Sequence, residues 1–323
     1  MNDLVSIIVT SYNHAEYLDQ RMESLLNQTY PNIEIIVVDD CSTDCSAVIL
    51  NKYNNLPHVQ IVLLSENHGH ANASNLGISL SHGDFLMFAE CDDFNEPTHV
   101  KTLLDNMIND ENVGVAYCRS KIVDEKGRVI GDDFEGQQKS FKKLCSHNTI
   151  IPRHKMQRFL LGSCIIPNMS AAMIRKKHVD HIKGFCSTYK VCADWDFWCR
   201  IADACDFFYA SESLNNFRTH DTTVRSTSKA DVLVSEVFQL LYNAAARTEL
   251  TGIERCIFRI NMGYVLAFYI THNCLGKFKN IMNVLKIGMS FEKPIIFYLL
   301  FGFPKVLFQR FNPKFFALFN PAK

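Results

Sequence analysis

The sequence predicts an α/β protein: an open, doubly wound sheet with helices on its faces, followed by a helical C-terminal region. Three observations predict it. Short β-branched runs alternate with helical patterns over the first 90 residues or so. Each of the first four strand candidates stops in polar or acidic residues. After about residue 228 the pattern is apolar and helical.

The elements follow in order. "LVSIIVT" (4–10) is a β-branched run between turn residues and reads as a buried strand. "AEYLDQRMESLLNQ" (15–28) places Leu18, Met22, Leu25 and Leu26 at helical spacing. "IEIIVVDD" (33–40) is a second strand, so the first three elements form a βαβ unit, whose crossover requires parallel strands. "VQIVLLS" (59–65) is a third strand, "HANASNLGISLS" (70–81) a short helix and "GDFLMFAE" (83–90) a fourth strand. Further on, "HVKTLLDNMI" is helical and "VGVAYCRSKIVDEKGRVIGD" reads as a hairpin with a glycine turn. Residues 135–165 read as a long polar stretch, and "MSAAMIRKKHVDHI" as a strand and a helix. "ADWDFWCRIADAC" (193–205) sets Trp195, Trp198, Ile201 and Ala202 on one helical face.

Composition bounds the function. The chain of 323 residues has room for one large or two smaller domains. Its 47% hydrophobic and 21% charged residues are a globular balance, and a net charge of −1 predicts no nucleic-acid partner. The 12 cysteines show no C-x-x-C pair, and "MNDLVSIIVTSYN" is already a strand and a turn, so the expectation is reduced thiols in a cytoplasmic protein. No apolar run reaches the roughly 20 residues that span a bilayer.

In doubly wound sheets, ligands bind beyond the carboxyl ends of the strands. "TSYN", "DDCSTD", "ENHGH" and "ECDD" end the four strands in turn, whereas chance would scatter such groups over both edges. "TSYNHA" has no glycine, which argues against a dinucleotide turn. Thr10, Ser11, Tyr12 and Asn13 offer hydroxyls, an aromatic face and an amide; a flat base could stack on Tyr12. Asp40 could accept an imide N–H or a ribose hydroxyl, while Asp44 caps the helix that follows. "LMFAECDDFNEP" (86–97) poses the sharpest question, because a core strand ends in Glu90, Asp92 and Asp93 around Cys91. Clustered carboxylates raise one another's pKa. A metal ion, a basic side chain or water must offset them. Asp92 and Asp93 suit Mg²⁺ or Mn²⁺, hard cations that prefer oxygen.

"VSIIVTSYNHAEYLDQRMESLLNQTYPNIEIIVVDDCSTD" and "NHGHANASNLGISLSHGDFLMFAECDD" together resemble the nucleotide-sugar-binding half of family 2 glycosyltransferases, which have the GT-A fold. "MSAAMIRKKHVDHIKGF", "ADWDFWCR" and "FRTH" resemble later segments, so the likeness covers roughly residues 3–225. It implies a catalytic domain at 1–225, split into a nucleotide-sugar half (1–95) and an acceptor half (96–225), with 226–323 as an extension. It also implies a nucleotide-diphosphate donor, with UDP favoured, a metal ion, and an inverting transfer to a glycan or lipid-linked acceptor in surface polysaccharide synthesis. Residue by residue, the resemblance puts Thr10, Tyr12, Asn13 and Asp40 at the nucleotide, and Asn67, Gly69 and Asn75 at the pocket wall. It puts Asp92, with Asp93, and His220 at the metal, and Asp194 as catalytic base with Asp196 as the fallback. Two departures stand out: Glu90-Cys91-Asp92 replaces D-x-D, and Ala193 precedes the base where an acid is frequent. Two other readings are a non-catalytic nucleotide-sugar-binding protein and a nucleotidyltransferase. The second normally needs a glycine- and lysine-rich phosphate loop that "TSYNHAEY" does not supply.

Residues 271–323 carry eight Lys/Arg against one acid, Glu292, and ten phenylalanines. That mixture suggests peripheral association with an anionic membrane, or an acidic partner. The other reading is a packed helical subdomain with its lysines in water.

Overall fold

The structure is a computed structural model and describes residues 3–166, 168–219, 230–273, 278–300 and 302. Two compact units are present: Met1–Met156 with Ile165–Thr219, and Gln157–Cys164 with His220–Lys323.

The first unit opens with β1 (Val5–Ser11), α1 (Ala15–Leu26), β2 (Ile33–Asp39), α2 (Ser46–Asn51), β3 (Val59–Leu63), α3 (His70–Leu80) and β4 (Phe85–Glu90). It continues through β5 (Phe94–Asn95), α4 (His99–Asp105), β6 (Val113–Val123), β7 (Val129–Asp132), α5 (Lys139–Leu144), β8 (Thr149–Ile151) and α6 (Arg153–Leu160), of which Gln157–Leu160 belongs to the second unit. It ends with β9 (Ala172–Arg175), α7 (Lys176–Ile182), α8 (Ala193–Ile201) and β10 (Asp206–Arg218). The sheet runs β3-β2-β1-β4-β9-β6-β10-β5, with β7 beside β6 and β8 beside β10.

Strands β3, β2, β1 and β4 are parallel, as the crossovers require. Thr10 pairs with Val38 and Glu90, and Ser11 with Asp39, so the polar strand ends lie level on one edge. Every residue of β1 is buried. One sheet face packs Ile7, Val9, Ile35 and Val37 with Leu18, Met22 and Leu25 of α1. On the other, α3 approaches so closely that a Cβ on Gly77 would lie 2.3 Å from Ile8 Cγ2, so only glycine fits.

The rest of the sheet is mixed. β9 runs antiparallel to both β4 and β6, and β10 runs parallel to β6. The expected hairpin is β6–β7. β10, the 13-residue strand "DFFYASESLNNFR", has no counterpart in the sequence pattern. Residues 135–165, expected to be a polar stretch, instead hold α5, β8 and α6. They bury Phe141, Cys145 and Ile151, because spaced single apolar residues can anchor short elements. On α8, Trp198, Ile201 and Ala202 are buried as expected, but Trp195 is half-buried and Phe197 is the more enclosed ring. Phe197 stacks on Phe185 at 4.4 Å.

The second unit contains α9 (Ala230–Arg247), α10 (Gly252–Asn273) and α11 (Phe278–Phe291). Tyr242 stacks on Phe291 and meets Phe258 edge-on, and its hydroxyl donates to Glu292, which also pairs with Arg259 at 2.7 Å. Among the described residues no helix is long and apolar enough to cross a membrane. Of the Phe-rich basic region 271–323, residues 274–277, 301 and 303–323 lie outside the described residues; within them, Ile296, Phe297 and Leu300 are exposed.

Candidate active site

The polar edge of the parallel strands builds the site. Thr10, next to last in β1, donates to Glu90 Oε2 at 3.4 Å. Tyr12 follows with its ring 45% exposed, open to a stacking partner. Asn13 adopts a left-handed conformation (φ 55). Its side-chain oxygen accepts the Thr43 N–H at 2.7 Å and its own N–H donates to Ser42 Oγ. Asn13 thus ties the loop after β1 to the loop after β2. Asp44 serves two helices, accepting the N–H groups of Ala15 and Ser46. Burial alone would raise its pKa, but those bonds hold it below the usual carboxylate range.

Asp40, Asn67 and Gly69 form one cluster. Asp40 accepts the His68 and Gly69 N–H groups, each at 2.8 Å, while Asn67 donates to the Asp40 carbonyl. Gly69 sits at φ +84 with nothing near its missing Cβ, so its backbone conformation, not space, calls for glycine. An ionised carboxylate has about four lone-pair sites, so Asp40 keeps acceptor capacity for a ligand. Asn75 clamps a neighbouring loop, accepting the Phe185 N–H and donating to the Phe185 carbonyl.

Basic side chains meet the acidic turn. Arg21 is fully buried on α1, and its Nε donates to the Glu90 carbonyl at 2.7 Å. Arg218, at the end of β10, donates from Nε to the Asp92 carbonyl and from its backbone N–H to Asp93 Oδ1. Its Nη groups reach the carbonyls of Asp124 and Glu125 and the side chain of Gln20, and the guanidinium lies 4.5 Å over the Tyr17 ring. Glu90 turns toward His70, with Oε1 2.9 Å from Nε2. Cys91 Sγ lies 3.3 Å from His14 Nδ1. Asp92 is half-buried; Asp93 is 1% exposed. Burial first, then the Asp92 charge, pushes the Asp93 pKa up against the pull of Arg21.

Sequence patterning alone does not single out His70. Burial would lower its pKa, but Glu90, with Asp194 and Asp40 further off, more than offsets this and holds it up at about 9. His70 therefore stands as an imidazolium among three carboxylates expected at the site. Asp194 is half-buried in the first turn of α8, with Oδ1 accepting the Trp195 N–H at 2.7 Å. The fallback base, Asp196, is neither solvated nor at a helix cap: it is 5% exposed and paired with Arg200 at 2.7 Å. Arg200 also donates to the carbonyls of Ile182 and Gly184. His220 lies outside the described residues.

Among the described residues no group of three or more His, Cys, Asp and Glu could hold a metal ion. Glu90 is held by His70 and Thr10, which leaves Asp92 and Asp93. Two carboxylates fit Mg²⁺ or Mn²⁺ where substrate phosphates complete the coordination.

A mixed sheet whose parallel half carries this rim is the GT-A-type glycosyltransferase fold. S. aureus TarS 1–349, crystallised with UDP-GlcNAc, superposes with a TM-score of 0.68 at 18% identity, over 96% of this chain and 92% of that one. The mannosyltransferase PcManGT from Pyrobaculum calidifontis, in complex with GDP-Man and Mn²⁺, gives 0.57 at 15% identity, over 95% and 87%. Residues 6–183, more than half of the chain, match Glycosyl transferase family 2, and the chain belongs to that family. It is also similar to chondroitin synthase of Escherichia coli, at 26% identity over 262 residues. That match covers 78% of this chain and 35% of the synthase, so this chain spans about a third of that relative's length.

Proposed function

We propose that this glycosyltransferase moves a sugar from a nucleotide-diphosphate donor, a UDP-sugar first among them, to a hydroxyl of a glycan or lipid-linked acceptor, with inversion at the anomeric carbon. The observation that carries the reading is the convergence at one sheet edge. Thr10, Asp40 and the Glu90–Asp93 turn lie there, and Asp194 is near enough to raise the pKa of His70, which is bonded to Glu90. The solved TarS and PcManGT complexes, with UDP-GlcNAc and with GDP-Man and Mn²⁺, support a nucleotide-sugar donor in this fold.

Tyr12 stacks on the base, and Asp40 accepts from the base or ribose within the loop that Asn67 and Gly69 shape. Asn13 and Asn75 act through the loops they hold. Asp92 and Asp93, with His220, would hold Mg²⁺ or Mn²⁺, which when bound would neutralise charge on the diphosphate. Asp194 takes the proton of the acceptor hydroxyl. The acceptor oxygen bonds to the anomeric carbon from the face opposite the diphosphate, and the bond from that carbon to the phosphate oxygen breaks with its electron pair.

General-base help is worth about 10²–10⁴-fold, so Asp194→Asn should lower kcat by that factor and leave nucleotide binding within about twofold of wild type. Calorimetric titration of UDP, GDP and dTDP, with and without Mn²⁺, on wild type and Asp92→Ala, checks the donor side. Near-normal turnover by Asp194→Asn overturns the base assignment. Donor binding with no turnover on any acceptor favours a binding protein. The basic tail directs the protein to an anionic membrane surface, where a lipid-linked acceptor would lie. Flotation with anionic liposomes, with and without residues 271–323, tests this, and equal recovery in the soluble fraction overturns it.

A further inference from the structure

Arg21 occupies the apolar face of α1 between Leu18, Met22 and Leu25, at 0% exposure. A buried guanidinium is costly unless its N–H groups are met and its charge is offset. Its three hydrogen bonds all go to neutral acceptors: the Glu90 carbonyl, Asn95 Oδ1 at 2.5 Å and Ser170 Oγ at 3.3 Å. The balancing charge comes from further away, from Asp93 first, then Asp92 and Glu90.

The grip on the turn is two-sided. Arg21 holds the Glu90 carbonyl, and Ser170 Oγ accepts the Glu90 N–H at 3.0 Å. Asn95 donates to Asn215 Oδ1, and Asn215 donates to Asn168 Oδ1, each at 2.9 Å. Asn95, Asn168, Asn215 and Ser170 are all at most 6% exposed. An apolar residue would fill this place on α1 at lower cost, and the charge that is there faces the acidic turn.

We propose that Arg21 is the positioning residue of the donor site: anchored through Asn95, Asn215 and Asn168, it fixes the backbone of the Glu90–Asp93 turn, and its charge stands under the turn's carboxylates so that they bind a divalent cation less tightly than they otherwise would. The inference rests on the donor-site reading above. Geometry and charge separate by substitution. Arg21→Lys keeps the charge but replaces a rigid fork with a point charge. Arg21→Gln removes the charge and keeps an amide donor.

Two readouts need neither nucleotide nor turnover. Cys91, in the middle of the turn and 4% exposed, reports its order through its iodoacetamide alkylation rate, followed by mass spectrometry. Mn²⁺ alone, titrated by electron paramagnetic resonance, reports the charge. Arg21→Lys should alkylate at Cys91 about tenfold faster with Mn²⁺ affinity within about twofold of wild type, and Arg21→Gln should bind Mn²⁺ about tenfold more tightly. The donor KM should rise in both variants by more than kcat falls. Wild-type Cys91 protection in Arg21→Lys together with unchanged Mn²⁺ affinity in Arg21→Gln overturns the proposal, whatever the melting temperatures. If neither variant folds, Asn95→Ala keeps Arg21 and its bond to Glu90 but removes the Nη1 anchor. Faster Cys91 alkylation supports the proposal there, and the wild-type rate overturns it. Failure of the wild type to bind any nucleotide sinks the donor reading and leaves the role of Arg21 to these two readouts.

Discussion

The two halves of the sheet are held together by different chemistry. In the parallel half, β1 is buried throughout, Ile7, Ile8 and Val9 are fully enclosed, and polar groups gather at one edge. The mixed half also buries apolar side chains such as Val115, Ala116 and Ile174, but a polar network runs among them: Asn95, Ser120, Asn168, Asn215 and Arg218 are buried and bonded to one another or to backbone. Aliphatic burial is non-directional and fixes no single orientation. A buried polar network costs more when incomplete, but it sets angles and distances. The parallel half is therefore a plate that supports the site, and the mixed half aims it.

The largest effect on stability should come from the plate. Ile7→Ala removes side-chain volume where α1 packs on β1 and should cost about 2–5 kcal/mol in urea unfolding, while the donor KM of the folded fraction stays near wild type. A cost under about 1 kcal/mol would mean that α1 collapses into the gap and that the plate is softer than its burial implies. Asn215→Leu attacks the other half. It strips partners from Asn95, Asn168 and Ser120 at similar volume and should cost about 1–3 kcal/mol. Here the donor KM should move as well, because the chain from Asn215 through Asn95 ends on Arg21 and the acidic turn. If Asn215→Leu lowers stability and leaves the KM alone, the contrast between plate and aiming network fails.

The same contrast explains what was legible in the sequence. β1 to β4 and α3 were readable because period and strand-end chemistry agreed. β10 was not, because Ser211, Ser213, Asn215 and Asn216 look like loop residues until their partners are known. Residues 135–165 failed for a related reason, since Phe141, Cys145 and Ile151 are too sparse to show a period. The acids at 90–93 were visible as a cluster, and the question of what offsets them was open between metal, base and water. Arg21 breaks the apolar stripe of α1, which is a signal in itself, but its target is 69 residues further along the chain. His70 was one more polar residue in "ENHGH" until Glu90 and Asp194 surrounded it. Asn13 and Asn75 were expected at the donor; the Asn13 side-chain oxygen accepts from Thr43, and both ends of the Asn75 amide bond to the Phe185 backbone.

The smallest predicted effect is a pH dependence confined to the mixed half. His99 opens α4 at 0% exposure, with Nε2 3.5 Å from Cys118 Sγ. Burial lowers its pKa to about 3; the Ala171 backbone works the other way and the Arg21 charge adds to the lowering. In the unfolded chain the same group titrates near 6.5. Below that pH the unfolded state binds a proton that the folded state refuses. The contribution is complete above about pH 6.5 and is lost as pH falls toward 3, by at most about 1.4 kcal/mol per unit. His70 has the opposite sign, since its raised pKa gives stability below about 6.5 that disappears as pH rises through about 9. Urea melts of wild type and His99→Gln between pH 7 and pH 5 isolate the His99 share from that of the carboxylates. The variant should lose roughly 1–2 kcal/mol less than wild type over that interval. Equal losses would mean that His99 is reached by water when the fold breathes, and that the interior of the mixed half is less closed than that of the plate.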